Sequence, residues 1–393
     1  MANIISPEDY GCVGDGSTDD TLAMQATLNA ASASGKAIIN RSTAIYACSQ
    51  LVIDGGTIWD LNNSTLKALP NLSVSQPFLA NRVKTGGINL TYDDHIRILC
   101  GTLLCELGAD RTAEYLSFVK CGGLVLEELR INGPQYIGLA LSGCKEAMIN
   151  GVTITGTGKV AVTTEGGAAI WLGANGDGST TDDTVIDTPY IHDTNWAGIY
   201  ATSKNCRILN PRMINIKEAA IFASAASSGM QLIGGLIDGV TRKYISGSGL
   251  ELGGVYHSVS GAVIKNTDNC GVSLTDVQNM TIGILSTVNA RRDAAMFTSA
   301  SHIEVISHGQ GGSTGVESSR DIAINGHLGV DYSLPSFAAV NVDGSASGAP
   351  VLGLSIVGNN YATTGFASGG PLHINPKFWG ASCRHACNNG VAD

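Results

Sequence analysis

A repeat constrains this chain more than any other feature. Short apolar runs, rich in β-branched residues, recur at 124–131, 147–154, 184–191, 207–214, 231–237 and 258–264. Each is too short for a helix and too regular for a loop. The polar residues after the runs, with the next match at Asn289, are Asn132, Thr155, His192, Asn215, Asp238, Lys265 and Asn289; they are separated by 23, 37, 23, 23, 27 and 24 positions. A period near 23 survives, with one long insertion before His192. A second column keeps the same beat, a small residue followed by an apolar one: Gly138-Leu139, Ala169-Ile170, Gly198-Ile199, Ala220-Ile221, Gly249-Leu250, Gly271-Val272 and Ala295-Met296.

Two architectures have such a period, the leucine-rich repeat and the β-solenoid. The Leu/Asn ladder of the first is missing, and helix formers are sparse. The period fits three short strands and three turns per coil, so the expected fold is all-β, a parallel β-helix. Successive coils then lie about 4.8 Å apart and equivalent side chains stack in ladders. Cys121 and Cys144, each ten residues before a run end, are expected to form one internal ladder.

Composition agrees and excludes other classes. Glycine numbers 50 of 393 residues, about 13% against a usual share of roughly 7%. Charged residues are only 14%, while 44% are hydrophobic, so the chain buries a core. The net charge of −10 argues against a nucleic-acid binder held by phosphate contacts. No run of about 18 apolar residues exists, so no membrane-spanning helix is expected. The opening residues lack a basic start and an apolar core, so no secretory signal is expected. The ten cysteines are scattered, and buried reduced thiols are the plain reading. Cys383 and Cys387 lack a second pair of metal ligands, so no metal is assigned to them.

The N-terminus carries a recognisable motif. Asp9-Tyr10-Gly11-Cys12-Val13-Gly14-Asp15-Gly16-Ser17-Thr18-Asp19-Asp20-Thr21, followed by Met24-Gln25-Ala26, resembles the opening of the pectate-lyase-like superfamily. The resemblance implies a right-handed parallel β-helix whose open end is closed by a short helix over about 21–31. Ser17, Thr18 or Asp19 is the expected N-cap. Asp15, Asp19 and Asp20 read as turn and capping residues. The expected organisation is a turn and capping helix over 1–35 and a β-helix over 36–327. Residues 328–393, which lose the period, are degenerate coils, a cap or an oligomerisation segment. The superfamily includes polysaccharide hydrolases and lyases, uronate epimerases and phage tailspike depolymerases. Likeness to tailspikes implies a homo-oligomer, with a trimer as one form; the expected location is the virion tail, with action outside the cell after lysis, or the cytoplasm. No local motif selects a subfamily.

Chemistry is expected where insertions and polar residues gather. The largest insertions are 156–167 and 173–183, read as flanking the strand that ends at Ile191. His192, Asp193, Glu218 and Asp238 are the catalytic candidates. Hydrolysis with inversion needs carboxyl groups about 6.5–9.5 Å apart, and retention about 5–5.5 Å. A lyase or epimerase instead needs a base, for which His192 or a lysine serves, and an arginine or lysine to hold a uronate carboxylate. Trp171 and Trp196 are candidates for stacking on a sugar ring; Lys217, Arg242, Lys243, Lys265, Arg291 and Arg292 form a candidate basic strip for an anionic glycan. The plain alternatives are turn residues, solvated surface and loop packing. Asp182-Asp183 ends an insertion as a turn, with Ca²⁺ binding as the alternative; no other cofactor is expected. Three functions stay open: an enzyme that cleaves a polysaccharide substrate, a uronate epimerase or other transferase of the same fold, and a non-catalytic glycan-binding spike.

Overall fold

A computed structural model describes residues 3–86, 93–105, 112–157, 167–241, 247–290, 293–298, 301–308, 313–317, 320–325, 340–342, 355–359, 372–374 and 384–387, with side chains described as far as 283 except at 85 and 86. The fold is a right-handed parallel β-helix. It divides into two compact units, Met1–Arg207 and Ile208–Asp393.

In the first unit each coil contributes one strand to each of three parallel sheets. The first sheet contains Ile45–Cys48, Thr65–Ala68, Thr153–Thr155 and Tyr190–Thr194. The second contains Leu51–Ile53, Leu79–Asn81, Leu116–Val119, Leu139–Ser142, Ala168–Gly173 and Ala197–Ala201. The third includes Ile58–Asp60, Met148–Asn150 and Val185–Asp187. Arg97–Leu104 and Val125–Asn132 run through a bend from the third sheet into the first.

The core is made of ladders. Ile38, Trp59, Ile98, Leu126, Ile149 and Ile186 are successive register partners and are fully buried. Leu66, Leu103, Ile131, Ile154 and Ile191 form the matching ladder of the first sheet. Each fully buried aliphatic side chain contributes about 1.5–3 kcal/mol. Strand alternation turns the intervening residues outward. Cys121 and Cys144 are fully buried, and the Lys145 N–H donates to the Cys121 carbonyl. Burial pushes the Cys144 thiol up to about 12.

The corners explain the glycine and asparagine content. One residue per corner adopts the left-handed conformation, which glycine, asparagine and aspartate tolerate best. One corner column runs Cys100, Glu128, Gly151 and Thr188; a second runs Gly133, Gly156 and Asp193; a third runs His95, Gly123, Glu146, Asp183 and Asn205. The second unit repeats the device at Asn215, Gly239 and Asn266.

This corrects the column of residues that follow the runs. Asn132, Thr155 and His192 are outward strand residues in true register. Asp238 pairs with Ile214 and Lys265, not with Asn215. Asn215 is the left-handed corner residue one place further on. The count changed its reference point there, because a polar strand residue and a polar corner residue look alike in sequence.

The N-terminal helix is Thr21–Ser34, ended by Gly35 in the left-handed region. Asp20 occupies the N-cap position instead of the expected Ser17, Thr18 or Asp19. Its carboxylate accepts the N–H groups of Val13 and Gly14 and so pins the glycine turn. Asp19 accepts from the Thr21 N–H, and Asp15 accepts from the N–H groups of Ser17 and Thr18. These contacts make the aspartates of the opening motif turn and capping groups. The Gln25 amide donates to the Val52 carbonyl and its oxygen accepts the Val52 N–H, both at 2.8 Å.

In the second unit, pairing continues through the described strands Val340–Val342, Ser355–Asn359, Leu372–Ile374 and Arg384–Cys387. Val340 pairs with Leu372 and Ala323 with Ser355, each 32 positions on. These longer steps are why no period near 23 is visible there.

Candidate glycan-binding face

The two insertions flank a different strand from the one expected. Residues 156–167 precede, and 173–183 follow, Ala168–Gly173 of the second sheet, not Tyr190–Thr194. Residues 158–166 lie outside the described residues.

Ala168–Gly173 presents Trp171 outward, between the buried Ile170 and Leu172. Along this outward column the register partners are Ser117, Ala140, Trp171 and Tyr200. Ser117 and Ala140 are buried, and Trp171 and Tyr200 are half-buried. The two rings stack with centroids 4.2 Å apart and planes 6° from parallel. Coil spacing alone brings them to this distance, since neighbouring strands lie about 4.8 Å apart. Gly173 makes room, because a Cβ there would lie 2.2 Å from Trp171 Nε1.

A second aromatic line edges the strand entries. A Cβ at Gly167 would lie 3.3 Å from the Tyr136 carbonyl and 3.6 Å from the Trp196 Cβ, so these three positions neighbour one another. Burial raises the Tyr136 phenol above its ordinary value.

The strand exits carry the other insertion. Asp177 Oδ1 accepts from the Ser179 N–H and hydroxyl, at 3.0 and 2.6 Å. Its Oδ2 lies 2.6 Å from Lys120 Nζ. That bond, with those from Ser179, holds the Asp177 carboxyl well below the usual carboxylate range. The insertion therefore folds back over an earlier coil. It crosses Gly143, where a Cβ would lie 2.5 Å from Ser179 Oγ.

The other sequence candidates fall elsewhere. His192 is an outward residue of the first sheet, in register with Thr155. Its Nδ1 lies 2.8 Å from Asp193 Oδ2 and 3.3 Å from Thr155 Oγ1. Its ring lies 4.7 Å from that of Tyr190. Asp193 is an exposed corner residue with φ 57. In the second unit, Asp238 Oδ1 accepts from Asn266 Nδ2 at 2.7 Å. Glu218 is 4% exposed, so it is not on a solvent-facing surface. Lys217 and Lys265 are half-buried strand residues. Arg242, Lys243, Arg291 and Arg292 lie outside the described residues. Asp182 and Asp183 are engaged in the turn: Asp182 accepts from the Lys204 N–H and Asp183 from Asn205 Nδ2. Among the described residues no cluster of three His, Cys, Asp or Glu side chains is arranged to hold a metal ion.

Trp171 and Trp196 were legible as candidates. Tyr200, Tyr136, Lys120 and Asp177 were missed. Tyr200 lies 29 positions after Trp171, so the 23-residue beat does not align them; only the register does.

No protein-family model and no curated protein matches the sequence. Solved structures do match. The surface adhesin PfbA of Streptococcus pneumoniae superposes with a TM-score of 0.67 at 14% identity, over 87% of this chain and 92% of that one. The catalytic unit of an α-1,3-glucanase from Streptomyces thermodiastaticus gives 0.65 at 12%, over 96% and 71%. Bacteriophage CBA120 tailspike protein 3 gives 0.57 at 13%, over 100% and 62%. At such identities the likeness is one of fold. The chain shares the parallel β-helix fold of these structures. Among the described residues no helix is long and apolar enough to cross a membrane.

Proposed function

We propose that this chain acts on a polysaccharide held on the outward face of the second sheet, at Trp171 and Tyr200. One observation carries the reading: two parallel, half-buried aromatic rings stacked along the helix axis, flanked by insertions. Flat rings at coil spacing offer an apolar floor to the C–H faces of sugar rings, and polar edges hold hydroxyl groups. The fold is one that an α-1,3-glucanase also uses, which supports a glycan partner.

Cleavage of the bound chain is the finer reading, and the His192–Asp193 pair favours it. With Nδ1 engaged by Asp193, Nε2 is the ring nitrogen left to act as a base. Such a base suits proton removal beside a uronate carboxylate, with loss of the glycosidic oxygen across the adjacent bond. Thr194–Trp196 leads from this pair to the second sheet.

The test is a glycan panel read for binding, for new reducing ends and for 235-nm absorbance. Trp171→Ala is expected to weaken binding at least tenfold, about 1.4 kcal/mol. His192→Ala is expected to abolish product while binding persists. Binding without product in the wild type leaves the face as a lectin-like platform and removes the cleavage reading. Equal affinity in Trp171→Ala removes both.

A further inference from the structure

A second polar site lies on a different surface of the first unit, where the third sheet bends into the first. A cavity of about 230 Å³ is lined there by Asn63, Thr102, Glu128, Arg130 and Thr153, with Gly101 and Gly151. Thr102, Arg130 and Thr153 are register partners on three successive coils. Strand alternation faces them outward, between the buried Leu103, Ile131 and Ile154 and the bend.

Two observations describe the wall of this cavity. First, the polar side chains of Asn63, Thr102, Arg130 and Thr153 make no hydrogen bond or ion pair with a described residue. Glu128 and Arg130, two positions apart, form no ion pair with each other. The described contact of the Glu128 carboxylate is a long one, 3.7 Å from Cys100 Sγ. Second, Glu128 sits at the left-handed corner position with φ 50, where its neighbour one coil on is Gly151 with φ 61. A glutamate there is strained where glycine is not.

We propose that this cavity binds a single saccharide ring, or a polyol of that size. The volume lies below that of drug-sized pockets and suits one ring. Glu128 accepts hydroxyl protons, Arg130 donates to hydroxyl oxygens, and the two threonines and Asn63 do both. The opposite charges cancel, so the cavity favours a neutral, hydroxyl-rich ligand over an anion. The site does not depend on the glycan face at Trp171.

The experiment uses the full chain, with glucose, galactose, mannose and xylose as probes, glycerol as a size control and a matching oligosaccharide for each sugar. Saturation-transfer difference NMR reads ring contact and calorimetry reads affinity. At least one monosaccharide is expected to bind, with glycerol weaker. Glu128→Gly and Arg130→Ala should each weaken it at least tenfold. Because glycine suits the corner, Glu128→Gly should keep or raise the melting temperature, which separates ligand contact from a structural role. Tighter binding of an oligosaccharide, lost in the same variants, identifies a chain end as the source; equal binding identifies the free sugar. Absence of signal for every probe, or persistence of binding in both variants, overturns the proposal.

Discussion

His257 in the second unit shows how one buried residue sets a pH limit. It is 1% exposed; its Nδ1 accepts the Met230 N–H and its Nε2–H donates to the Gly253 carbonyl. Burial lowers its pKa below the ordinary histidine value near 6.5, against the bond to Gly253. Below that ordinary value the unfolded chain takes up a proton that the folded chain refuses, so stability falls as pH drops. Above it the contribution is fully present. The expected slope is at most about 1.4 kcal/mol per pH unit. Denaturant midpoints of wild type and His257→Gln, compared between neutral and mildly acid pH, check it. The glutamine variant should lose that component of the slope while being less stable at neutral pH. An identical slope in both proteins contradicts the assignment. Nothing in the sequence marked His257. Its spacing is that of any turn residue, and its neutrality comes from backbone partners 27 and 4 positions away.

At the scale of elements, the first coil is closed by a side chain acting as a strand. Gln25 offers the Val52 edge one donor and one acceptor, the pattern a neighbouring strand would present. Gln25→Ala is expected to cost about 1–2 kcal/mol, for two hydrogen bonds at a half-buried edge. Hydrogen exchange should show Val52 losing protection first. The motif Met24-Gln25-Ala26 made the helix legible, but the amide's role needed the register. The 173–183 insertion gives a second case. Its length was legible, and its position was not, because counting from the wrong strand placed it one sheet away. Lys120→Met removes the cation that ties Asp177 to an earlier coil. The expected result is faster amide exchange at Ser179 with the global melting temperature little changed, and high salt should mimic part of it. Unchanged exchange would mean that Gly143 and the Asn175–Ser179 turn fix the insertion by themselves.

At the scale of the whole molecule, a coil stack is held by neighbours, so damage should spread along ladders and fade. The stacked ladders were legible as apolar runs recurring at a steady period. The corners were legible only in part, because Cys100, Glu128, Thr188, His95 and Glu146 hold corner positions beside glycine and asparagine. The register steps were not, because 23, 31 and 29 positions separate successive partners Leu116, Leu139, Ile170 and Ile199 of one column. Insertions change those numbers without changing the stacking. Ile149 tests the consequence. It is fully buried between its partners Leu126 and Ile186, whereas Met148 beside it is 50% exposed. Ile149→Ala is expected to cost about 2–5 kcal/mol, and Met148→Ala to stay within about 0.5 kcal/mol. Exchange protection in Ile149→Ala should fall most in Val125–Asn132 and Val185–Asp187, the strands above and below. Leu51–Ile53, several coils away, should change least. A uniform loss across the unit would instead show that its coils unfold as one cooperative block, because only nearest-neighbour coupling produces a gradient along the ladder.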